Sequence, residues 1–187
     1  MINKSQEVVT LPNAISATGF ILAVHGARRL DTPLGLAETA AGRVLDLADG
    51  YVARATGQTS EFGASLDATF DKFASLAIVA SEWHKDIAPK PALVAMMSQN
   101  IINSVATGIA IKKYPEHVIA SSRDGKYAMA AQNFALAAYA QAEILQDSRA
   151  RTSQAIRNIG HIATVVGVGF FGVKATVGYI KRIQAVN

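Results

Sequence analysis

The chain has 187 residues, of which 50% are hydrophobic and 17% charged, with a formal net charge of +4 and no cysteine. The charged share lies below the roughly 25% usual in soluble domains, and the absence of cysteine excludes disulfide frameworks and thiolate metal sites. Basic residues are scattered in pairs such as Arg28-Arg29, Lys112-Lys113 and Lys181-Arg182, with no run long enough for a nucleic-acid-binding arm.

Met1 to Thr10 is polar and shows no secretory-leader pattern, so membrane insertion would use internal helices. Strand patterns are weak throughout and helical periodicity recurs between short polar or Pro/Gly breaks. The first helix is predicted after Leu11-Pro12-Asn13 to about Ala27, with Asn13 as its N-cap. The second runs from about Leu34 to Thr56 and the third from about Glu61 to His84. The fourth starts near Pro89-Lys90-Pro91 and ends around Lys113, and the fifth covers about Gly125 to Ile144. The sixth covers about Arg151 to Ile183, with a break expected near Asn158-Gly160. Residues 1–187 are read as one all-α domain.

Mean hydropathy is +0.22, which leans towards a membrane although much of it comes from Ala. A span needs roughly 20 mostly apolar residues. The stretch Ile162 to Ile180, with Lys174 its one charge, fits best, and the fourth and fifth helices fit moderately. The second and third helices carry several carboxylates, each costing at least about 2.5 kcal/mol in hydrocarbon. Those acids should therefore face a hydrated, protein-lined cavity. In a six-helix layout the basic residues divide almost evenly between the two sides, so charge alone does not orient the chain.

The informative stretch is Asp46 to Asp71, DLADGYVARATGQTSEFGASLDATFD. Positions 46, 49, 50 and 53 share one face of the second helix and read Asp, Asp, Gly, Ala. Positions 63, 67 and 71 share one face of the third and read Gly, Asp, Asp. Each helix thus presents two carboxylates beside a patch lacking side-chain bulk. Four carboxylates converging at low dielectric repel one another, and two divalent cations would neutralise them. Oxygen-only ligation favours Mg²⁺ or Mn²⁺ over zinc. Such a pair can clamp a pyrophosphate, bare Gly and Ala positions admit a nucleotide, and Arg54 can pair with a phosphate. The bland alternative is a solvated acidic face on surface helices.

Asp46, Asp49, Gly50, Ala53, Arg54, Gly63, Asp67 and Asp71 match the pattern D-x2-D-G-x2-A-R-x8-G-x3-D-x3-D at every specified position. In this the chain resembles the CDP-alcohol phosphotransferase (phosphatidyltransferase) family. The likeness extends to Leu11-Pro12-Asn13-Ala14-Ile15, similar to the segment opening the first membrane helix of bacterial members. Gly125-Lys126 followed by Gln132 is similar to the start of the fifth helix in phosphatidylglycerophosphate synthases. Those enzymes carry Arg-Glu where this chain has Gln99-Asn100, and Lys-Thr where it has Ala128-Met129.

The resemblance implies six transmembrane helices in the cell membrane, a homodimer, and an active site facing the cytoplasm. It implies that Asp46, Asp49, Asp67 and Asp71 hold two divalent metals, with Asp71 also the general base for the acceptor hydroxyl. Asn13, Ala14, Ile15, Ser16, Gly50, Ala53, Arg54, Ser60 and Gly63 would lie around a CDP-diacylglycerol donor. Arg123 and Lys126, with Lys112 and Lys113, are the candidate contacts for an anionic acceptor such as glycerol 3-phosphate. Inositol phosphate, serine or a lipid headgroup are the alternative acceptors. Two readings of other classes stand beside it: a soluble helical metal-dependent enzyme on prenyl diphosphates, and an inactive membrane structural protein.

Overall fold

Thr10, Thr32 and Ser60 each hold an extended backbone and start a helix on the next residue. Each side-chain oxygen accepts the N–H three residues on: Asn13 at 3.3 Å, Gly35 at 3.1 Å and Gly63 at 2.9 Å. These bonds satisfy donors that a helix start otherwise leaves orphaned. In this computed structural model, which describes residues 10–113 and 123–185, the three helices are α1 (Leu11–Ala27), α2 (Pro33–Thr56) and α3 (Glu61–His84). They belong to a compact unit ending at Ile87. The cap of α1 is Thr10 and not Asn13 as the sequence suggested, because Pro12 fits the first turn, where its missing N–H is harmless.

Within this unit α1 and α2 meet backbone to backbone. A Cβ on Gly42 would sit 2.5 Å from the Gly19 carbonyl oxygen, and one on Gly26 2.5 Å from that of Gly35. Small residues at both faces allow this approach, which maximises dispersion contact. Phe20 of α1 stacks on Phe70 of α3, with ring centroids 4.6 Å apart. At the end of the unit where α1 turns into α2, the Ser81 hydroxyl donates to the Ala27 carbonyl and Lys85 Nζ reaches Asp31 at 2.7 Å. Glu38 there accepts from Arg29 at 2.9 Å and pairs with His25 at 3.0 Å.

The second unit begins at Ala88. It holds α4 (Lys90–Lys113), α5 (Arg123–Leu145), α6 (Ala150–Thr164), a π-helical segment (Val165–Gly172) and α7 (Val173–Ala185). The last three run on as one helix, so the break expected near Asn158–Gly160 is absent and the irregularity falls at Val165–Gly172 instead. Gly160 stays helical because its bare face receives the Tyr139 ring, which an added Cβ would meet at 2.8 Å. Tyr139 is fully buried, its hydroxyl 3.0 Å from Thr164 Oγ1 and 3.1 Å from His161 Nδ1. Gln99 of α4 is also buried and donates to the Gly172 carbonyl at 3.1 Å and to Thr176 Oγ1 at 2.8 Å.

Among the described residues, one helix is long and apolar enough to cross a membrane, Ala150–Lys181. Only 28% of its most apolar stretch is buried inside the protein, unlike the core helix of a soluble domain. Exposed apolar side chains recur elsewhere, including Ile21, Leu47, Phe73, Ile101 and Phe134. They form more apolar surface than isolated exposed residues on a soluble monomer would explain.

Candidate active site

Gly57, with φ of +67°, ends α2, its N–H donating to the Ala53 carbonyl, and Ser60 starts α3 three residues later. This tight link sets the acid-bearing faces of the two helices side by side. Carboxylate oxygens of Asp46, Asp49 and Asp67 all lie within 4.8 Å of one another. Asp49 is buried, and Asp46 and Asp67 are half-buried. The Ser16 hydroxyl of α1 donates to Asp49 Oδ2 and also lies 3.1 Å from the Pro12 carbonyl oxygen. The close α1–α2 crossing is what brings Ser16 within reach.

Asp71, one turn beyond Asp67, stands apart from this trio. Its Oδ1 lies 2.7 Å from Nη2 of Arg43, whose Nη1 is 3.6 Å from Asp46 Oδ2. The sequence pattern did not single out Arg43. The signal that could have found it is its place one turn before Asp46, on the acid face of α2.

Beside the trio opens a cleft of about 190 Å³, walled by all three helices of this unit and the α2–α3 link. Pro12, Asn13 and Ser16 line it from α1, Asp49, Gly50, Ala53 and Arg54 from α2, and Gly63, Ala64 and Asp67 from α3. Gln58, Thr59 and Ser60 complete it from the link. Of the residues expected around the donor, Asn13, Ser16, Gly50, Ala53, Arg54, Ser60 and Gly63 line the cleft, while Ala14 and Ile15 do not. Pro12, Gln58, Thr59 and Ala64 line it without having been singled out.

The wall is bare where the pattern places its small residues. A Cβ on Gly50 would meet only the Arg54 guanidinium, at 3.4 Å, so Arg54 lies folded across the bare patch. A Cβ on Gly63 would press on Asn13 Oδ1 at 2.9 Å. Sites that swallow a whole ligand run to about 300–1,000 Å³, so this cleft takes part of a ligand. Its acidic floor, bare wall and single guanidinium suit a phosphorylated group approached through a cation. The oxygen-only donor set fits a hard divalent cation, and three convergent carboxylates would repel one another without one.

Of the acceptor candidates, Arg123 and Lys126 are exposed on the first turn of α5. Lys112 and Lys113 close α4. Gln99 is held by the bonds to Gly172 and Thr176.

The family model for CDP-alcohol phosphatidyltransferases matches residues 7–170. The chain belongs to that family. It is therefore a member of an enzyme family that transfers substituted phosphate groups from CDP-linked donors to alcohols, in phospholipid biosynthesis. Comparison with curated proteins gives no match, and comparison with solved structures gives none. Family membership sets aside the reading as a prenyl-diphosphate enzyme. Together with the apolar helix Ala150–Lys181 it points to a membrane location.

Proposed function

We propose that this CDP-alcohol phosphatidyltransferase moves the phosphatidyl group of CDP-diacylglycerol to an alcohol and releases CMP. The observation that carries this reading is the cleft, which gathers seven of the nine expected donor residues beside Asp49 and Asp67. In it, Gly50, Ala53 and Gly63 would give the nucleotide close backbone approach, and Arg54 would swing from Gly50 to a donor phosphate as a charge-assisted partner. Asp46, Asp49 and Asp67, with Asp71 recruited, would hold two divalent ions, Mg²⁺ or Mn²⁺. Such ions supply charge neutralisation on the pyrophosphate and on the departing CMP oxygen. Asp71 takes the proton of the acceptor hydroxyl as its oxygen bonds to the phosphatidyl phosphorus and the phosphorus–oxygen bond to CMP breaks.

For the acceptor we favour glycerol 3-phosphate, with Arg123, Lys126, Lys112 and Lys113 as contacts for its phosphate. Support comes from the basic residues and from Gly125-Lys126 and Gln132 in sequence. The protein would act as a multi-pass homodimer in the cell membrane, its site open to the cytoplasm. The test is CMP release by detergent-purified protein given CDP-diacylglycerol, Mg²⁺ and a panel of glycerol 3-phosphate, inositol phosphate and serine. Release with glycerol 3-phosphate alone supports the whole reading. Release with another acceptor removes that assignment and keeps the transferase, and no release with any acceptor rejects the donor reading.

A further inference from the structure

Three of the four aspartates of the acid faces turn towards one another, and the fourth turns to a guanidinium. Arg43 and Asp46 have side chains 19% exposed and Asp71 26%, so the Arg43–Asp71 contact at 2.7 Å is largely shielded from water. Arg43 Nη1 and Asp71 Oδ1 are both buried without a hydrogen-bond partner, so Arg43 meets Asp71 as a close ion pair and not as an aligned hydrogen bond, with its Nη1 3.6 Å from Asp46 Oδ2. An arginine presents its donors in a rigid plane and does not lose its charge. A shielded guanidinium with an unused N–H is held there by the carboxylates it faces, since charges withdrawn from water must be paired. Arg43 also offsets one of the four negative charges. One divalent cation in the trio then leaves the cluster at about −1, and a second would carry it to about +1 until an anionic ligand arrives.

We propose that Arg43 is a positioning residue that holds the Asp71 carboxylate away from the Asp46–Asp49–Asp67 trio, so that a second cation gains Asp71 only by displacing the guanidinium. This rests on the reading of the trio as a divalent-cation site. A remote positive charge would also weaken cation binding, but its effect would not depend on the carboxylate of Asp71. The two accounts therefore separate in a double-substitution cycle.

The experiment is Mn²⁺ binding by calorimetry to detergent-purified wild type, Arg43→Gln, Asp71→Asn and the double variant, with thermal melts in chelator. Arg43→Gln should tighten Mn²⁺ at least tenfold, about 1.4 kcal/mol, and lower the cation-free melting temperature, with Mn²⁺ restoring it. In the Asp71→Asn background the same change should alter Mn²⁺ affinity less than about threefold. If Arg43→Gln does not fold, Arg43→Lys carries the test, since it lacks the planar fork. It should tighten Mn²⁺ about threefold, again only with Asp71 present. Unchanged or weaker affinity in the Arg43 variant, or equal tightening in both backgrounds, overturns the inference while leaving the cation site standing. No Mn²⁺ binding by wild type removes both.

Discussion

In the unit of α1–α3, glycines let two helix backbones touch, and the polar side chains beside that contact open onto a cleft. In the unit of α4–α7, glycines instead make room for side chains. Gly160 receives Tyr139 and Gly172 receives Gln99, and those polar groups bond inward to Thr164, Thr176 and the Gly172 carbonyl. Ser153 likewise donates to the Ala142 carbonyl at 2.7 Å, and Arg157 pairs with Glu143 at 3.0 Å. The same small residue therefore serves helix contact beside an open cleft in one unit and internal closure in the other. A polar residue in an apolar helix is not by itself a functional signal. What separates the two cases is whether its hydrogen bonds close within the protein.

The comparison breaks most sharply under substitution of the aspartates. Asp71→Asn is expected to lower kcat by about 10²–10⁴-fold with donor KM little changed, as for loss of a general base. Asp67→Asn should fall at least as far and should also weaken divalent-cation binding. Loss of donor affinity with kcat intact in Asp71→Asn would count against the base role. Next comes Gly50→Leu, whose side chain would fill the bare patch and displace Arg54. Donor KM should rise tenfold or more, the equivalent of about 1.4 kcal/mol, while the melting temperature in detergent stays near wild type. An unchanged KM would place the nucleotide elsewhere.

A smaller pair of effects sharpens the contrast between the units. Gly42→Ala should destabilise by about 1–3 kcal/mol through overpacking against Gly19 and Ala23, and activity should fall with it because Ser16 would shift from Asp49. Gln99→Leu should cost about 1–3 kcal/mol by removing the Gln99 hydrogen bonds to Gly172 and Thr176, yet leave the donor KM of the folded fraction unchanged. A raised donor KM in Gln99→Leu would show that this polar cluster is not confined to internal closure.

The smallest effect lies in the turn joining α1 to α2. The Lys85 ammonium, through its hydrogen bond, holds the Asp31 carboxyl below its ordinary pKa of 3.8 against a weaker desolvation. A carboxyl depressed on folding contributes stability above its unfolded pKa, and that stability is lost as pH falls through the folded value. The pair is partly exposed, so its worth is at most about 1 kcal/mol. Asp31→Asn should lower the melting temperature slightly at pH 7, and the difference should shrink as the pH falls below 3.8. A difference that stays constant as the pH falls would assign the effect to packing.

All six helices were legible because Pro, Gly and hydroxyl residues punctuate the apolar runs, as at Thr32-Pro33 and Gly57 to Ser60. That Asp46 and Asp49 share a face of α2, and Asp67 and Asp71 a face of α3, followed from helical spacing, since positions three and four apart lie on one side. The Arg43–Asp71 pair did not follow from spacing, because it joins two helices and depends on how they are rotated against each other. Nor did the π-helical segment, whose apolar residues Val165 to Phe171 carry no sign of the bond that Gln99 brings from another helix. Thr10 took the cap from Asn13 because Pro12 suits a helix's first turn better than the position before it. Asn13 is thereby left on a buried face with its oxygen against Gly63.

The link between α2 and α3 bears on how the family pattern should be understood. Eight residues separate Arg54 from Gly63. Within them α2 is stopped by Gly57, and Ser60 begins α3 by accepting the Gly63 N–H. The fixed spacing thus works as a gear with no slack. Adding one residue inside α3, between Ser60 and Asp67, would turn Asp67 and Asp71 by about 100° about the helix axis relative to its capped start, from 3.6 residues per turn, and would swing them away from the teeth they engage. On this view the four-residue steps from Gly63 to Asp67 and on to Asp71 act as a phase setting between two rods.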